Sequence, residues 1–386
     1  MPDFRPCPVC GGSERRMLHR QRFHEGILGD GYDVVVCKAC GTGFADGIAT
    51  QTELNRYYAE QSKYYHEESE SEYDRSRFEM VVDHVVPHIP SRDARILEIG
   101  CATGGLLAAF GRRGFPNVLG ADPSPACADA ARRLHGIEVR VSNMAQLSEW
   151  RDRFDLVLTI GVLEHLREVQ PAIRTVIGRM DAGGLFYAAV PDVEGLVDCR
   201  NAPFQQFSME HVNFFSAQSL NRVMAACGLA SRRTWRWMVE WRENVTEPVV
   251  SGLYQASSDA ALGTDSTTET ALMRYIASSQ AGDQRILDII STLVNTAEPV
   301  LIWGAGALTR RLLATTVLAS ANITGFVDSS PHLQGKQLMD RTIFAPTEIV
   351  GRRERILICS VAFEREIVQF IRDRLALSNQ LITLYS

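Results

Sequence analysis

Arg95-Ile-Leu-Glu-Ile-Gly-Cys-Ala-Thr-Gly-Gly-Leu-Leu107 is the stretch from which the rest of the chain is read. A short apolar run ends near Glu98. Gly100, Ala102 and Gly104 then turn the backbone into a helix expected to start at Gly105. Small residues at such a turn let the main chain pass close to a ligand, because a larger side chain would occupy the ligand's space. The next strand, Asn117-Val-Leu-Gly-Ala-Asp122, ends in an acid at the spacing of a dinucleotide-type βαβ unit, where a carboxylate accepts from ribose hydroxyls. The pattern is Glu-x-Gly-x-x-x-Gly and lacks the third glycine of the phosphate-binding form.

Working outward, Ile137-Glu-Val-Arg-Val141 reads as the third strand and Phe154-Asp-Leu-Val-Leu-Thr-Ile-Gly161 as the fourth. Val162-Leu-Glu-His-Leu166 is expected to open a helix. Met180-Asp-Ala-Gly-Gly-Leu-Phe-Tyr-Ala-Ala-Val-Pro191 reads as the turn into the fifth strand. Alternating strands and helices from Arg95 to about Ala230 predict an α/β, doubly wound sheet. These segments, in this order, resemble the motifs of class I S-adenosylmethionine-dependent methyltransferases. The resemblance implies that the first turn wraps the amino-acid end of a sulfonium cofactor without phosphate. Glu98, Gly100, Cys101, Ala102, Gly104, Asp122 and Gly161 become candidate cofactor residues, with Asn143 and Met144 beside the adenine ring. The Glu164–His165 pair is shared with the family, and His165 is read mainly as a structural or cofactor-pocket residue.

At 386 residues the chain is too long for one ordinary core, so two or three domains are expected. No apolar run approaches a membrane span, and the first residues lack the layout of a signal peptide. A cytoplasmic location follows as the expectation, without membrane partners. The formal charge of −6 argues against a broad nucleic-acid-binding face.

Cys7-Pro-Val-Cys10-Gly and Cys37-Lys-Ala-Cys40-Gly form two knuckles, each able to present two thiolates to one tetrahedral zinc. Four cysteines leave no open coordination position, so Cys7, Cys10, Cys37 and Cys40 predict a structural Zn²⁺ in a ribbon. The other five cysteines are scattered and read as small buried side chains. Residues 51–90 look helical and carry Tyr57, Tyr58, Tyr64, Tyr65 and Tyr73. Adjacent tyrosines cannot both face one core from a helix, so at least one of each pair is expected near solvent, an interface or a ligand.

Further on, Phe207-Ser-Met-Glu-His-Val-Asn213 precedes a helix that Ser216 caps and Gly228 ends. Residues 257–270 look like a linker, and 272–294 have apolar residues at helical spacing. Val300-Leu-Ile-Trp-Gly-Ala-Gly306, with Asp328 closing the next strand, repeats the βαβ spacing with Thr309 in place of a third glycine. Either a nucleotide-bearing ligand lies over this second turn or the unit is purely structural. The expected division is a zinc ribbon over 1–50, a methyltransferase core over 51–240, a helical connector over 241–298 and a Rossmann-like domain over 299–386.

The three-part order resembles the zinc-containing sugar C-methyltransferases, which act on nucleotide-linked 4-keto deoxysugars. In that family a Tyr-x-Glu-His segment carries the catalytic base. Glu210 and His211 match it, whereas Ser208 stands in place of the tyrosine. The resemblance implies His211 as general base and Glu210 as its support. Ser208, Asn213 or a tyrosine would bond the enolate oxygen, and Tyr64 and Tyr65 lie in a segment that touches substrate. A neutral imidazole suits removal of a proton next to a carbonyl, and the sulfonium methyl is already electrophilic. The same histidine could deprotonate an oxygen or nitrogen acceptor. An RNA base methyltransferase and a non-catalytic cofactor sensor are the alternatives from other classes. A monomer or homodimer is expected.

Overall fold

A computed structural model describes residues 4–60, 70–258 and 262–385. The chain divides into two units: residues 1–18, 34–199 and 210–273 form the first, and residues 19–33, 200–209 and 274–386 the second. The compact ribbon expected over 1–50 is therefore not a unit of its own, because its middle clusters with the C-terminal part of the chain.

The chain begins with strands β1 (Arg15–Arg22), β2 (Gly31–Cys37) and β3 (Gly43–Asp46). Helices α1 (Gln51–Glu60) and α2 (Glu72–Val85) follow. The central sheet is then laid down by β4 (Ile96–Ile99), α3 (Gly105–Arg112), β5 (Val118–Asp122), α4 (Pro125–His135), β6 (Val139–Val141), β7 (Phe154–Ile160), α5 (Val169–Ile177) and β8 (Met180–Pro191). After β9 (Asn213–Phe214) and α6 (Ala217–Ala226) come the long strands β10 (Leu229–Arg242) and β11 (Val245–Ala256), then α7 (Thr268–Thr296).

The seven-stranded sheet has the order β10-β11-β8-β7-β4-β5-β6. Strands β6, β5, β4, β7 and β8 run parallel to one another, and β11 runs antiparallel to both β8 and β10. The fold is α/β with a mixed sheet. The inner strands are apolar on both faces because helices cover both sides. Leu97, Ile99, Val157 and Phe186 enter one core, and Ile96, Leu156, Leu158 and Tyr187 enter the other, as strand alternation requires. From β4 the connections run outward through β5 and β6 on one side and through β7 and β8 on the other. This places a topological switch point between β4 and β7, where open α/β sheets bind ligands beyond the strands' carboxyl ends.

Two expectations about elements are corrected. Residues 162–166 open no helix: Leu163–His165 is one 3-10 turn, and α5 starts only at Val169. Pro171 explains this, because it has no N–H for a helix begun upstream but is tolerated in a first turn. The connector placed over 241–298 begins instead with β11, which pairs along β8 from Val249↔Pro191 to Gln255↔Leu185. Asn244, at φ 62°, supplies the left-handed residue of the β10–β11 hairpin.

In the second unit, β12 (Val300–Trp303), α8 (Ala307–Thr315), β13 (Ile323–Val327), β14 (Gln337–Leu338), β15 (Arg341–Phe344), β16 (Arg355–Ile358), α9 (Glu364–Gln369) and β17 (Leu381–Thr383) follow in turn. Their sheet has the order β14-β15-β13-β12-β16-β17, parallel except at the β14–β15 hairpin. Among the described residues no helix is long and apolar enough to cross a membrane.

Candidate functional site

The turn after β4 is held by its neighbours before any ligand is considered. Asp122, at the end of β5, accepts from Ala102 N at 3.0 Å and Ser124 N at 2.9 Å, so the acid fixes both turns at the switch point. Gly100 has φ 73°, and a Cβ there would stand 2.6 Å from Val162 Cγ2. The cofactor-type turn is thus in direct contact with the turn that follows β7. Cys101 points its sulfur away, under Gly120 of β5, and can offer a ligand only its backbone. Gly104, at φ 78°, caps α3 in the left-handed region.

Gly100→Ala is expected to weaken S-adenosylmethionine binding at least about tenfold by titration calorimetry. The left-handed backbone alone costs roughly 1–2 kcal/mol for a residue with a Cβ, before the clash. Adding Val162→Ala should recover part of the loss, since it removes the atom in the way.

Glu98 is buried, and its Oε2 has no hydrogen-bond partner among the described residues. Burial pushes its carboxyl up to about 8, with Arg77 opposing the rise and Asp122 adding to it. Asn143 uses its Oδ1 to accept from Ala145 N at 3.0 Å and Gln146 N at 3.1 Å, capping the short turn after β6. Met144 is buried in the core, so its reach toward a base is small. Gly161, at φ 65°, ends β7 and leaves the space before Glu164 Oε1 open.

A second group of residues gathers beyond β7. His165 Nδ1 lies 2.9 Å from the Glu210 carbonyl oxygen. A carbonyl only accepts, so Nδ1 carries the proton and Nε2 keeps its lone pair when the ring is neutral. The His211 ring lies against His165, with centroids 5.0 Å apart. The Tyr57 hydroxyl donates to Glu210 Oε1 at 2.7 Å, and the Tyr58 ring packs on His165 at 5.5 Å. Both members of this tyrosine pair therefore turn toward one site. Glu164 is buried, its Oε2 has no hydrogen-bond partner among the described residues, and burial raises it to about 8. Glu164 was missed as a polar site residue, because its Glu-His context gave no sign of how deep it lies.

Both acids sit above their ordinary value of 4.5 in the folded chain. Between about 4.5 and 8 the folded state holds protons that the unfolded chain releases, so stability falls as pH rises through that window. Melting temperatures measured across it should decline, and Glu98→Gln or Glu164→Gln should flatten the slope.

Asn213 is corrected. Its Nδ2 donates to Leu163 O and Leu166 O, both at 2.8 Å, and its Oδ1 accepts from Arg5 at 2.9 Å. Both of its protons are committed to backbone, so it has none for an enolate oxygen. Ser208 belongs to the second unit, where its carbonyl accepts from the Tyr32 hydroxyl at 2.8 Å. Tyr64 and Tyr65 lie outside the described residues.

The four knuckle cysteines converge. Cys7 and Cys40 sulfurs are 3.6 Å apart and those of Cys10 and Cys37 3.5 Å, with none of the four in a disulfide. Tetrahedral Zn–S bonds of about 2.3 Å imply sulfur–sulfur separations a little under ~4 Å, so the cluster fits that ion. The Cys7 and Thr42 contacts hold Cys40 down at about 4, while Cys7 itself is pushed up, chiefly by sharing its proton with Cys40 and by burial. A cation replacing the shared proton suits such a group.

In the second unit the turn after β12 repeats the device seen after β4. Asp328 accepts from Ala305 N and Ser330 N, both at 2.8 Å, and Thr309 closes the turn by donating to Gly304 O at 2.6 Å. A Cβ on Gly304 would stand 2.8 Å from Cys359 O, so the neighbouring backbone already requires the glycine.

Residues 65–233 match the family model of the methyltransferase domain. Over that stretch the chain is similar to methyltransferase domains. A ubiquinone biosynthesis O-methyltransferase of Agrobacterium fabrum is 36% identical over 107 residues, covering 26% of this chain and 42% of that protein. A tRNA U34 carboxymethyltransferase of Vibrio cholerae is 29% identical over 179 residues, covering 40% of this chain and 55% of that protein. The chain thus spans about half the length of these relatives or less. A solved magnesium protoporphyrin IX methyltransferase of Synechocystis with bound S-adenosylhomocysteine aligns with a TM-score of 0.40 at 14% identity, covering 54% of this chain and all of that one.

Proposed function

We propose that the protein transfers the methyl group of S-adenosylmethionine to a small molecule, with His211 as the general base. The observation that carries this reading is the contact between the two turns at the switch point. Gly100 touches Val162, and three residues beyond Val162 stands His165, against which His211 packs. Cofactor-binding residues and a pair of imidazoles thereby meet at the end of β4 and β7. Glu98, with an unpartnered buried oxygen, suits the ammonium of the cofactor's amino-acid end, and Asp122 suits its ribose.

When bound, S-adenosylmethionine supplies the electrophilic methyl. The chain's own residues would orient the acceptor and remove its proton. Tyr57 fixes the Glu210 carboxylate, the Glu210 carbonyl fixes the His165 tautomer, and His211 is left beside that ordered ring to take a proton. The four-cysteine cluster would hold a structural zinc with no part in proton transfer. A nucleotide-linked keto-deoxysugar is the acceptor we favour. The layout of knuckles, methyltransferase domain and a second α/β unit with its own Gly304–Asp328 turn supports it. In that case the base acts on a carbon next to the carbonyl. The second reading is oxygen methylation, which the 36% identity to a ubiquinone biosynthesis O-methyltransferase over 107 residues favours.

Mass spectrometry of nucleotide-linked keto sugars and of phenolic acceptors, each incubated with enzyme and S-adenosylmethionine, tests both. A carbon-linked methyl on the sugar supports the first reading. A methyl ether on the phenol moves the assignment to the second. Cofactor binding without any methylated product rejects both.

A further inference from the structure

Arg5 stands two residues before the first knuckle cysteine and is buried, with 4% of its surface exposed. Every part of its guanidinium is in use. Its Nε donates to Ala45 O at 3.1 Å, Nη1 to Arg167 O at 2.8 Å, and Nη2 to Val212 O at 2.5 Å and Asn213 Oδ1 at 2.9 Å. Its main-chain N–H donates to Asp46 Oδ1 at 3.0 Å, and the planar group lies 5.3 Å from the Phe44 ring centre. A cation so far from water is retained only where its hydrogen-bonding capacity is met. Here backbone carbonyls meet most of it, and they belong to three separate segments of chain.

Those segments are informative. Arg167 O follows the His165 turn by two residues, and Val212 O follows His211 by one. Ala45 O belongs to β3, which pairs with β9 through Gly43↔Phe214 and Phe44↔Asn213. Two further bonds hold the same corner, one to the first knuckle and one to β3. Gln170 Nε2 donates to Val9 O at 3.0 Å within the first knuckle, and Ala45 N donates to Val212 O at 2.9 Å. Cys7, Val9, Cys37, Cys40 and Phe44 also share one core with Leu163, Val169 and Phe215.

We infer that Arg5 is a positioning residue for the reactive corner, clamping the His165 turn and the His211 segment to each other and to the cysteine cluster. The bidentate fork of arginine suits this task, since one side chain must satisfy acceptors on several strands at fixed angles. Lysine would keep the charge and lose the fork. Metal loading of the cysteines, two residues away, would stiffen the same clamp. The functional meaning of the clamp rests on His211 being the base, but its existence does not.

The test therefore begins with a measurement that needs no acceptor. Hydrogen exchange in the full chain is compared between wild type, Arg5→Lys and Arg5→Ala. Peptides spanning 43–46 and 210–215 should exchange at least about tenfold faster in Arg5→Ala, while β4 and β5 keep wild-type protection. Millimolar guanidinium should restore protection in Arg5→Ala by filling the vacated space, and methylammonium should not. Arg5→Lys, the milder change, should show the same local pattern at smaller amplitude and keeps the test open where Arg5→Ala fails to fold. Unchanged exchange over 210–215, loosening that extends equally through β4 and β5, or no difference between the two added cations would each overturn the assignment. On an acceptor that turns over, Arg5→Lys should lower kcat about tenfold or more at unchanged S-adenosylmethionine affinity. If exchange responds as expected and kcat does not, the clamp stands and the base is elsewhere.

Discussion

His211→Ala is expected to lower kcat by about 10²–10⁴-fold on whichever acceptor is methylated, with S-adenosylmethionine affinity within about twofold of wild type. The size follows from what general-base catalysis contributes when the proton must leave in the transition state. The second half follows from position: His211 packs on His165, whereas most residues proposed for the cofactor lie on or just after β4, β5 and β6. Two controls separate chemistry from architecture. Tyr57→Phe removes the hydroxyl that holds Glu210 Oε1 and should cost less than the histidine, because it loosens a support and leaves the base in place. His165→Asn keeps a donor for the Glu210 carbonyl and should likewise retain more activity than His211→Ala. Steady-state kinetics with calorimetry of cofactor binding reads all three. Turnover that survives in His211→Ala at a comparable rate would reduce the residue to pocket lining. A collapse of cofactor affinity would mark it as part of the binding site instead.

The five parallel strands of the central sheet were legible because each carries its own signal. Apolar runs end in Glu98, Asp122 and Gly161, and the turns that follow need small or acidic residues for reasons local to the turn. The β10–β11 hairpin was not legible. Ser231-Arg-Arg-Thr-Trp-Arg-Trp237 and Glu247-Pro-Val-Val250 have strand-forming residues, but the second becomes a strand by pairing with β8, distant in sequence, and the first by pairing with the second. The candidate site divides in the same way. Cysteine spacing announces four thiols around one point, and a Glu-His pair announces itself by residue type. Arg5 does not, since nothing near it in sequence marks an arginine whose partners lie at Arg167, Val212 and Asn213. Asn213 failed in the opposite direction. Its residue type suited an enolate, and only its two carbonyl partners reveal that both protons are already given away.

If the cysteine cluster holds the proposed zinc, removing it should destabilise the first unit itself, and Cys40→Ser should do the same. Zinc held by four thiolates contributes about 10–16 kcal/mol of binding free energy in small zinc-finger peptides, and a site that forms only with folding returns that energy as stability. In an isolated ribbon the consequence would stop at the ribbon. Here Cys7, Cys37 and Cys40 are buried in the same core as Leu163, Val169 and Phe215, so loss of the cluster opens a cavity under the reactive corner. The effect also has a pH sign. Cys10 lies at about 11 through burial and Cys7 is raised too, so both shed protons when they ligate, and metal affinity should rise with pH. Elemental analysis should find one zinc per chain. Treatment with a strong chelator in mild acid should release it together with a melting-temperature drop of roughly ten degrees or more, since even a few kcal/mol moves a domain of this size by that much. Restored zinc should restore the transition. A chain that carries no metal and melts alike with and without chelator would show that the four thiols are sufficient packing by themselves, and the zinc assignment would fall.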